Sequence, residues 1–328
     1  MKNCIFSSYA LLLLLVSLLC GLTACGEATA PTPATNVQPT TAPTTTADAY
    51  GTPIVFPTTA PQRIVSLVPN MSEILAALHL ERRMVGVDYN TDYPSALASL
   101  PKVSNAAGAY NVEQIVALKP DLLLSWGAET KQYDSQLKQL GLKVVDLPLS
   151  NFSQTLQQIL LVGRLTLTQE TASTLVQHLQ QQIDEIKTTV AGTTAPSVFF
   201  EVDNSTPGKP YVFGGGSFGD NLLQDANAVN IFHNNQSNGG YPQVTDEAII
   251  IANPQFVILT EDPKYGGDVK QVYTRANWSK INAIKAHHVY HIAVAIVQRP
   301  GPRLVEGLRC IAQIVHPEKF SAALPAYC

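Results

Sequence analysis

The stretch "EQIVALKPDLLL" (113–124) returns in altered form as "EAIIIANPQFVI" (247–258). In both, a glutamate leads an apolar run, a proline follows seven residues later, and three further apolar residues come after the proline. An apolar run at helical spacing that stops at a proline and is followed by a short apolar segment predicts a helix leading into a buried strand. The chain therefore carries one helix–strand unit twice, 134 residues apart, with the same acidic residue at its head.

Predicted strands and helices alternate around both copies of this unit. "RIVSLVPN" (63–70) predicts a buried strand before the first copy, and "SVFFEVD" (197–203) predicts one before the second. Such alternation implies parallel sheets flanked by helices, and the shared order indicates an internal duplication of the architecture. Between the copies, "TQETASTLVQHLQQQIDEIKTTVAG" (168–192) predicts one helix of roughly 24 residues, about 36 Å long.

The predicted fold class is α/β, with two Rossmann-like lobes built on mostly parallel sheets and joined by this long backbone helix. We place the N-terminal lobe at 51–166, the backbone helix at 167–192 and the C-terminal lobe at 193–328. Because α/β sheets bind ligands at the loops that follow their strands, the cleft between the lobes is the expected binding site.

The first part of the chain predicts export and a lipid anchor. Lys2 precedes the apolar run "YALLLLLVSLLCGL" (9–22), which is short for a membrane span of about 20 residues. The run ends in "LTAC", which resembles a bacterial lipobox, so residues 1–24 are the expected signal peptide and Cys25 the expected lipidated residue. The Thr, Ala and Pro that follow cannot bury a core, and 25–50 is therefore the expected tether at the outer face of the cytoplasmic membrane.

Charge and cysteine content narrow the partners and the chemistry. The net charge of −4 lacks the basic footprint of a nucleic-acid-binding protein. Outside the signal peptide and Cys25, the cysteines are Cys310 and Cys328, and two cysteines in an exported protein are more often paired than free. A bridge would add about 3 kcal/mol of stability in the chain-entropy model. The alternative is a buried Cys310 and a frayed C-terminal end.

Five segments, in this order, resemble the helical-backbone (class III) periplasmic substrate-binding proteins, which serve ABC importers of cobalamin, haem and iron–siderophores. Those segments are "RIVSLVPNMSEIL", "VGVDYNTDYP", "NVEQIVALKPDLLLSW", "GGSFGDNLLQDANAVNIF" and "YPQVTDEAIIIANPQFVIL". The tyrosines of "DYNTDYP", the tryptophan after "KPDLLLS" and the "YPQV" motif are most similar to the cobalamin-binding member. The resemblance implies a monomer that holds cobalamin between its lobes, with no other cofactor, and delivers it to a permease dimer. Haem and an iron–siderophore stay open as alternative ligands.

The resemblance also assigns a role to the repeated glutamates. In this family each lobe presents a glutamate to an arginine pocket on the permease, and by motif match these are Glu113 and Glu247. A carboxylate is favoured in the first turn of a helix, and exposed charges orient an encounter. The alternative is that each glutamate is an ordinary first-turn residue.

Aromatic and basic residues after predicted strands form the expected ligand site. Flat aromatic faces suit a large macrocycle, and arginine can bind amide, carboxylate or phosphate oxygens. The alternatives are a turn role for the residue before Pro94 and a core role for the two phenylalanines. The predicted residues are Tyr89, Tyr93, Tyr110 and Trp126 in the first lobe, and Phe213, Phe218, Tyr241, Arg299 and Arg303 in the second.

Enzyme and metal chemistry find little support in the motifs. "GGGSFG" (214–219) lacks the lysine of a phosphate-binding loop, and neither a Gly-x-Ser-x-Gly elbow nor a zinc-protease motif occurs. "HHVYH" (287–291) has no acidic residue nearby to complete a metal site. We therefore expect a binding protein without catalytic residues or a bound metal. Besides import and catalysis, adhesion or signalling by a surface lipoprotein of the same fold is a third possible function.

Overall fold

The computed structural model describes residues 47–127, 131–148 and 150–328. The predicted signal peptide, Cys25 and most of the predicted tether lie outside these residues. No helix within the described ranges is long and apolar enough to cross a membrane.

The N-terminal lobe is built on a parallel sheet of four strands in the order β2-β1-β3-β4. Nearly all strand residues are buried, as expected when helices cover both faces of a parallel sheet. The strands are β1 (Ile64–Ser66), β2 (Met84–Val87), β3 (Leu122–Trp126) and β4 (Val144–Leu147), and the helices are α1 (Pro69–Ala77), α2 (Val112–Ala117), α3 (Lys131–Gln139) and α4 (Phe152–Thr166).

The C-terminal lobe repeats this plan with an antiparallel edge. Its sheet has the order β6-β5-β8-β9, with β7 also paired to β5, and only the β5–β6 pair among these is antiparallel. The strands are β5 (Ser197–Asp203), β6 (Tyr211–Val212), β7 (Val229–Asn230), β8 (Phe256–Leu259) and β9 (Val289–His291), and the helices are α6 (Phe218–Asp225), α7 (Ser237–Gly240), α8 (Asp246–Ala252), α9 (Val269–Val272), α10 (Asn282–Lys285), α11 (Val294–Val297) and α12 (Leu304–Val315).

A long helix, α5 (Gln169–Val190), connects the two sheets, as the sequence predicts. Its 22 residues span about 33 Å. The buried side chains recur every three or four residues and form one apolar stripe, which packs against α4 and α12. A Cβ on Gly163 of α4 would lie 2.4 Å from the Cβ of Ala172, so α4 and α5 cross at a point that admits only glycine. One hydrophobic core extends through both lobes along this helix.

The chain packs onto the N-terminal lobe a few residues before the predicted boundary at residue 51. The Asp48 carboxylate accepts hydrogen bonds from the backbone N–H groups of Tyr50 and Thr52 at 3.0 and 2.8 Å, which closes a tight turn. The turn places the Tyr50 hydroxyl 2.7 Å from Asp134 Oδ2 and 3.2 Å from Asp146 Oδ2, both buried carboxylates. This contact makes residues 47–50 part of the folded body.

At the other end of the chain, the structure contains the predicted disulfide. Cys310 is buried in α12 and is bonded to Cys328, 18 residues further on, with their Cα atoms 5.4 Å apart. Phe320 packs against the hydrophobic core between them. The bond and this ring hold the C-terminal tail against the body.

Candidate functional site

The two lobes contact each other where α1 faces the loop between α11 and α12. A Cβ on Gly301 of that loop would lie 3.6 Å from Glu73 Oε2 and 3.8 Å from the Asn70 carbonyl oxygen. Both N-lobe residues belong to α1, which follows the central strand β1. The contact therefore lies at the carboxyl edge of the N-terminal sheet, where α/β folds hold their ligands.

The loop after β2 presents two tyrosines at this edge. Tyr89 and Tyr93 are 49% and 46% exposed, which is unusual for large aromatic side chains. Buried Asp88 anchors the loop, because its carboxylate accepts hydrogen bonds from Ser104 Oγ at 2.6 Å and from the backbone N–H of Asn90 at 2.7 Å. A rigid loop with exposed aromatic rings is what an apolar planar ligand requires.

Tyr110 and Trp126 are half-buried and stand deeper in the N-terminal lobe. The Tyr110 hydroxyl donates to the Leu67 carbonyl oxygen, and its ring centroid lies 5.1 Å from that of Tyr133 in an edge-on arrangement. Trp126 packs against the core, and its buried indole N–H has no hydrogen-bond partner among the described residues. Tyr110 also lines a groove of about 610 Å³ between the 102–114 segment and α3, and this groove includes Glu113.

The structure places Phe213 and Phe218, which the sequence predicts to contact the ligand, in the core, as the alternative interpretation had it. The ring centroid of Phe213 lies 4.5 Å from that of Phe200, and the ring centroid of Phe218 lies 5.8 Å from that of Phe152. The glycines between them cause this inward placement. A Cβ on Gly214 would lie 2.2 Å from the Asn235 carbonyl oxygen, so the chain turns tightly into α6 with both rings beneath it.

Tyr241 also packs near Phe213, at 5.7 Å between ring centroids, but it is only half-buried. Of the three aromatic residues predicted for the C-terminal lobe, Tyr241 is therefore the one whose ring is exposed enough to contact a ligand.

The two predicted arginines meet at the contact between the lobes, where acidic residues of the N-terminal lobe already bind them. Arg303 donates from Nε to Glu73 Oε2 at 2.9 Å and from Nη2 to Glu73 Oε1 at 2.7 Å. Arg299 donates from Nη1 to Asp92 Oδ1 at 2.6 Å and lies 3.5 Å from Glu73 Oε1. Both arginines therefore lie where the two lobes meet, and acidic side chains already bind them.

Glu73 is the residue that the sequence reasoning missed. It is 3% exposed although it is an acid, and it stands in the apolar helix "MSEILAAL" (71–78). A buried acid in an apolar helix requires a partner, and that requirement was the available signal. Burial alone would lower the pKa of Arg303, but the hydrogen bond and charge of Glu73 outweigh burial and raise that pKa above its usual range.

The repeated glutamates occupy matching positions on two short helices. Asn111 caps α2 by accepting from the Gln114 backbone N–H at 3.0 Å, and Thr245 caps α8 by accepting from the Ala248 backbone N–H at 3.3 Å. Glu113 and Glu247 follow these caps in the first turn and are exposed. A hydrogen bond from its own backbone N–H, and then one from Thr245, lowers the pKa of Glu247, which therefore carries its charge at neutral pH.

The apolar residues of the two helices are also in the same phase. Ile115 and Ile249, each two residues after the glutamate, are completely buried. Val116, three residues after Glu113, and Ile251, four residues after Glu247, are not equivalent positions, but both are exposed, at 40% and 84%. Residues three and four positions apart share a helix face, so each glutamate has an exposed aliphatic neighbour on its own face.

The histidines and acids give no metal site in the part of the chain that the structure describes. His288 stacks on Phe256 with 4.6 Å between ring centroids, and His291 Nε2 lies 2.8 Å from the Glu261 carbonyl oxygen. These side chains pack against the C-terminal sheet and do not converge on one point.

Comparison with known proteins agrees with this architecture. Residues 64–294 match the family model described as "Periplasmic binding protein". The chain is 33% identical to the uncharacterized ABC transporter substrate-binding lipoprotein YvrC of Bacillus subtilis, over 79% of this chain and 82% of the relative. It is 25% identical to a vitamin B12-binding protein of Vibrio cholerae, over 75% of this chain and 86% of the relative. The apo form of the periplasmic heme-binding protein RhuT from Roseiflexus superposes with a TM-score of 0.70 at 19% identity, over 79% of this chain and 100% of that one.

Proposed function

The chain belongs to the periplasmic binding protein family, and from this premise we propose that it captures cobalamin or a related corrinoid and delivers it to the permease of an ABC importer. The observation that carries the transport role is the duplicated docking helix. Two lobes joined by one rigid helix each present an ionised or acidic side chain at the same helical position, as a partner with two equivalent halves would require. A lipid on Cys25 would keep the protein, as a monomer, at the membrane that holds this partner.

The corrinoid preference is supported by the aromatic residues at the cleft. Tyr89 and Tyr93 expose flat faces beside the contact between the lobes, and Tyr110, Trp126 and Tyr241 add partly exposed rings. Such rings bury apolar area on a macrocycle and offer hydroxyl or indole donors to its amide oxygens. Relatives named as vitamin B12-binding proteins, from several Vibrio strains, point to the same ligand.

A thermal-shift titration of residues 47–328 tests the ligand. A ligand that binds only the native state raises the melting temperature by mass action, by about 2.7 kcal/mol of stabilisation at a hundredfold excess over Kd. Cyanocobalamin should produce such a shift, whereas haem and a ferric siderophore should not. A clear shift with haem or with the ferric chelate, and none with any corrinoid, would refute the corrinoid proposal and identify the ligand class that gave the shift.

Cys25 can be tested separately from the ligand. Cys25→Ser should move the full-length protein from the membrane fraction to the soluble fraction of the native host. Retention in the membrane fraction, with no palmitate label on the wild-type protein, would contradict the lipid anchor and leave the ligand proposal intact.

The docking role can be tested by photo-crosslinking in cells, without knowing the ligand. A photoreactive phenylalanine placed at Val116 or Ile251, beside the docking glutamates, should crosslink to a polytopic membrane protein of the importer. Leu140 is also an exposed aliphatic residue, but it follows α3, so the same probe there should not crosslink. Glu113→Lys with Glu247→Lys should remove both crosslinks and leave ligand binding unchanged. Equal crosslinking at all three positions would overturn this assignment.

A further inference from the structure

Four charged side chains, two from each lobe, form a closed network at the cleft. Glu73 and Asp92 come from the N-terminal lobe, and Arg299 and Arg303 come from the C-terminal lobe. Arg303 uses two of its nitrogens on the two oxygens of Glu73. Arg299 uses one nitrogen on Asp92 and another on the Asn90 carbonyl oxygen, at 2.6 and 3.3 Å. Two cations and two anions leave this network without formal net charge.

The surroundings of the arginines are also not positive. The ring of Tyr93 covers the Arg303 guanidinium, whose central carbon lies 4.1 Å from the ring centroid. Glu306, in the first turn of α12, is a further acid near Arg303; burial raises its pKa, and the opposing charge of Arg303 does not cancel that rise. A ligand entering here therefore meets guanidinium groups whose charge is already compensated.

An anionic ligand would gain little from these arginines and would meet repulsion from their partners. At about 5 Å and an effective dielectric constant of about 20, one charge pair changes affinity roughly a hundredfold, so the repulsion from each acid offsets the attraction of one arginine for a negative group. To bind an arginine directly, the ligand would have to displace Asp92 or Glu73. Displacing Glu73 would leave a buried carboxylate without its partner.

The N-terminal lobe also has two unpaired neutral donors, one of them at this contact. The side-chain amide of Asn70, one turn before Glu73, is buried and has an N–H group without a hydrogen-bond partner among the described residues. The indole N–H of Trp126, deeper in the N-terminal lobe, is also buried and has no hydrogen-bond partner among these residues. An unpaired buried donor is costly, and a neutral carbonyl or amide oxygen on a ligand would satisfy it.

We propose that Glu73 and Asp92 set the charge specificity of the cleft, because they occupy Arg299 and Arg303 and so restrict the site to a ligand without net negative charge. This inference rests on the proposed function, which places the ligand between the lobes. It assigns specificity to two acids that would not touch the ligand.

Isosteric removal of each acid tests the inference. Asp92→Asn removes the carboxylate charge that compensates Arg299, and Glu73→Gln removes the one that compensates Arg303, in both cases without changing side-chain volume. Asp184→Asn, on the solvent side of α5, removes the same charge far from the cleft. Isothermal titration with cyanocobalamin as the neutral probe and ferric enterobactin as the anionic probe gives the ratio of the two affinities. Circular dichroism reports whether Glu73→Gln is folded, and Asp92, with its exposed side chain, carries no such risk.

The wild-type protein and Asp184→Asn should bind ferric enterobactin at least 100-fold more weakly than the neutral probe, or not detectably. Asp92→Asn should raise the affinity for ferric enterobactin at least tenfold, and Glu73→Gln should raise it further. Tight binding of the anionic probe to the wild type, or folded variants that gain no affinity for it, would overturn the inference. If neither probe binds the wild type but the variants gain the anionic one, the corrinoid proposal fails while the charge specificity stands.

Discussion

Removing the disulfide should destabilise the protein by a predictable amount. The bond between Cys310 and Cys328 closes a loop of 18 residues. In the chain-entropy model, a loop of about that length restricts the unfolded chain enough to stabilise the native state by about 3 kcal/mol. The perturbation is the double substitution Cys310→Ala with Cys328→Ala, which removes the bond and introduces no buried polar group at position 310.

The expected change in melting temperature follows from the size of the folded body. Unfolding entropy is about 2.1 cal/mol/K per residue, so a body of about 280 residues has roughly 0.6 kcal/mol/K at its midpoint. A loss of about 3 kcal/mol therefore lowers the melting temperature by about 5 °C. Differential scanning calorimetry of residues 47–328, with and without a phosphine reductant, measures this change in melting temperature.

Two controls separate the bond from the packing around it. Cys328→Ala alone leaves Cys310 buried and reduced, so any further loss in the double variant reports the packing of that side chain. The reduced wild-type protein should have the same melting temperature as Cys328→Ala. A double variant that melts within about 1 °C of the oxidised wild type would show that the tail does not restrict the unfolded chain, and would refute the loop argument.

Three further substitutions test the packing that positions the site. Arg275→Met should cost about 3–5 kcal/mol, because it leaves the fully buried carboxylate of Glu201 without the guanidinium that now lies 2.5 Å away. Gly163→Ala should cost about 1–3 kcal/mol, because its new methyl group would overlap Ala172 where α4 and α5 cross. Tyr50→Phe should cost about 1–3 kcal/mol, because the buried Asp134 carboxylate loses the Tyr50 hydroxyl that donates to it at 2.7 Å.

Urea denaturation followed by circular dichroism measures all three losses. Adding Glu201→Gln to Arg275→Met should recover much of the stability, since the buried charge is gone, and no recovery would contradict the ion-pair explanation. Gly141→Ala is unsuitable as a control because that glycine has a positive φ. Ala117→Ser, at an exposed position of α2, serves instead and should change stability by less than about 0.5 kcal/mol.

The parts of the fold that could be predicted are those with a local signal. The apolar stripe of α5 lies within 168–192, and the caps Asn111 and Thr245 stand where the start of the apolar pattern places them. Periodicity and capping depend on neighbours within a few residues, so they can be read from one sequence. The two-lobe plan followed because the same local signals occur twice in the same order.

Burial was harder to predict than secondary structure. Phe213 and Phe218 flank a glycine-rich loop, a composition that suits both a ligand loop and a tight turn. The distinction depended on the Asn235 carbonyl oxygen, against which Gly214 packs, and that group lies on a different segment of the chain. Tyr89 and Tyr93 follow the parallel strand β2 and stay 49% and 46% exposed, although the Arg303 guanidinium lies against the ring of Tyr93.

The ion pairs between the lobes show the limit of local reasoning most clearly, and they also change what the site can bind. Glu73 and Arg303 are 230 positions apart, so no spacing rule connects them. The sequence alone drew no attention to Glu73, and it predicted that Arg303 binds the ligand. Only their contact shows that the charge of Arg303 is already compensated, so this arginine no longer favours an anionic chelate. The charge of a binding site is therefore a property of tertiary contacts, and the inventory of charged residues in the sequence does not determine it.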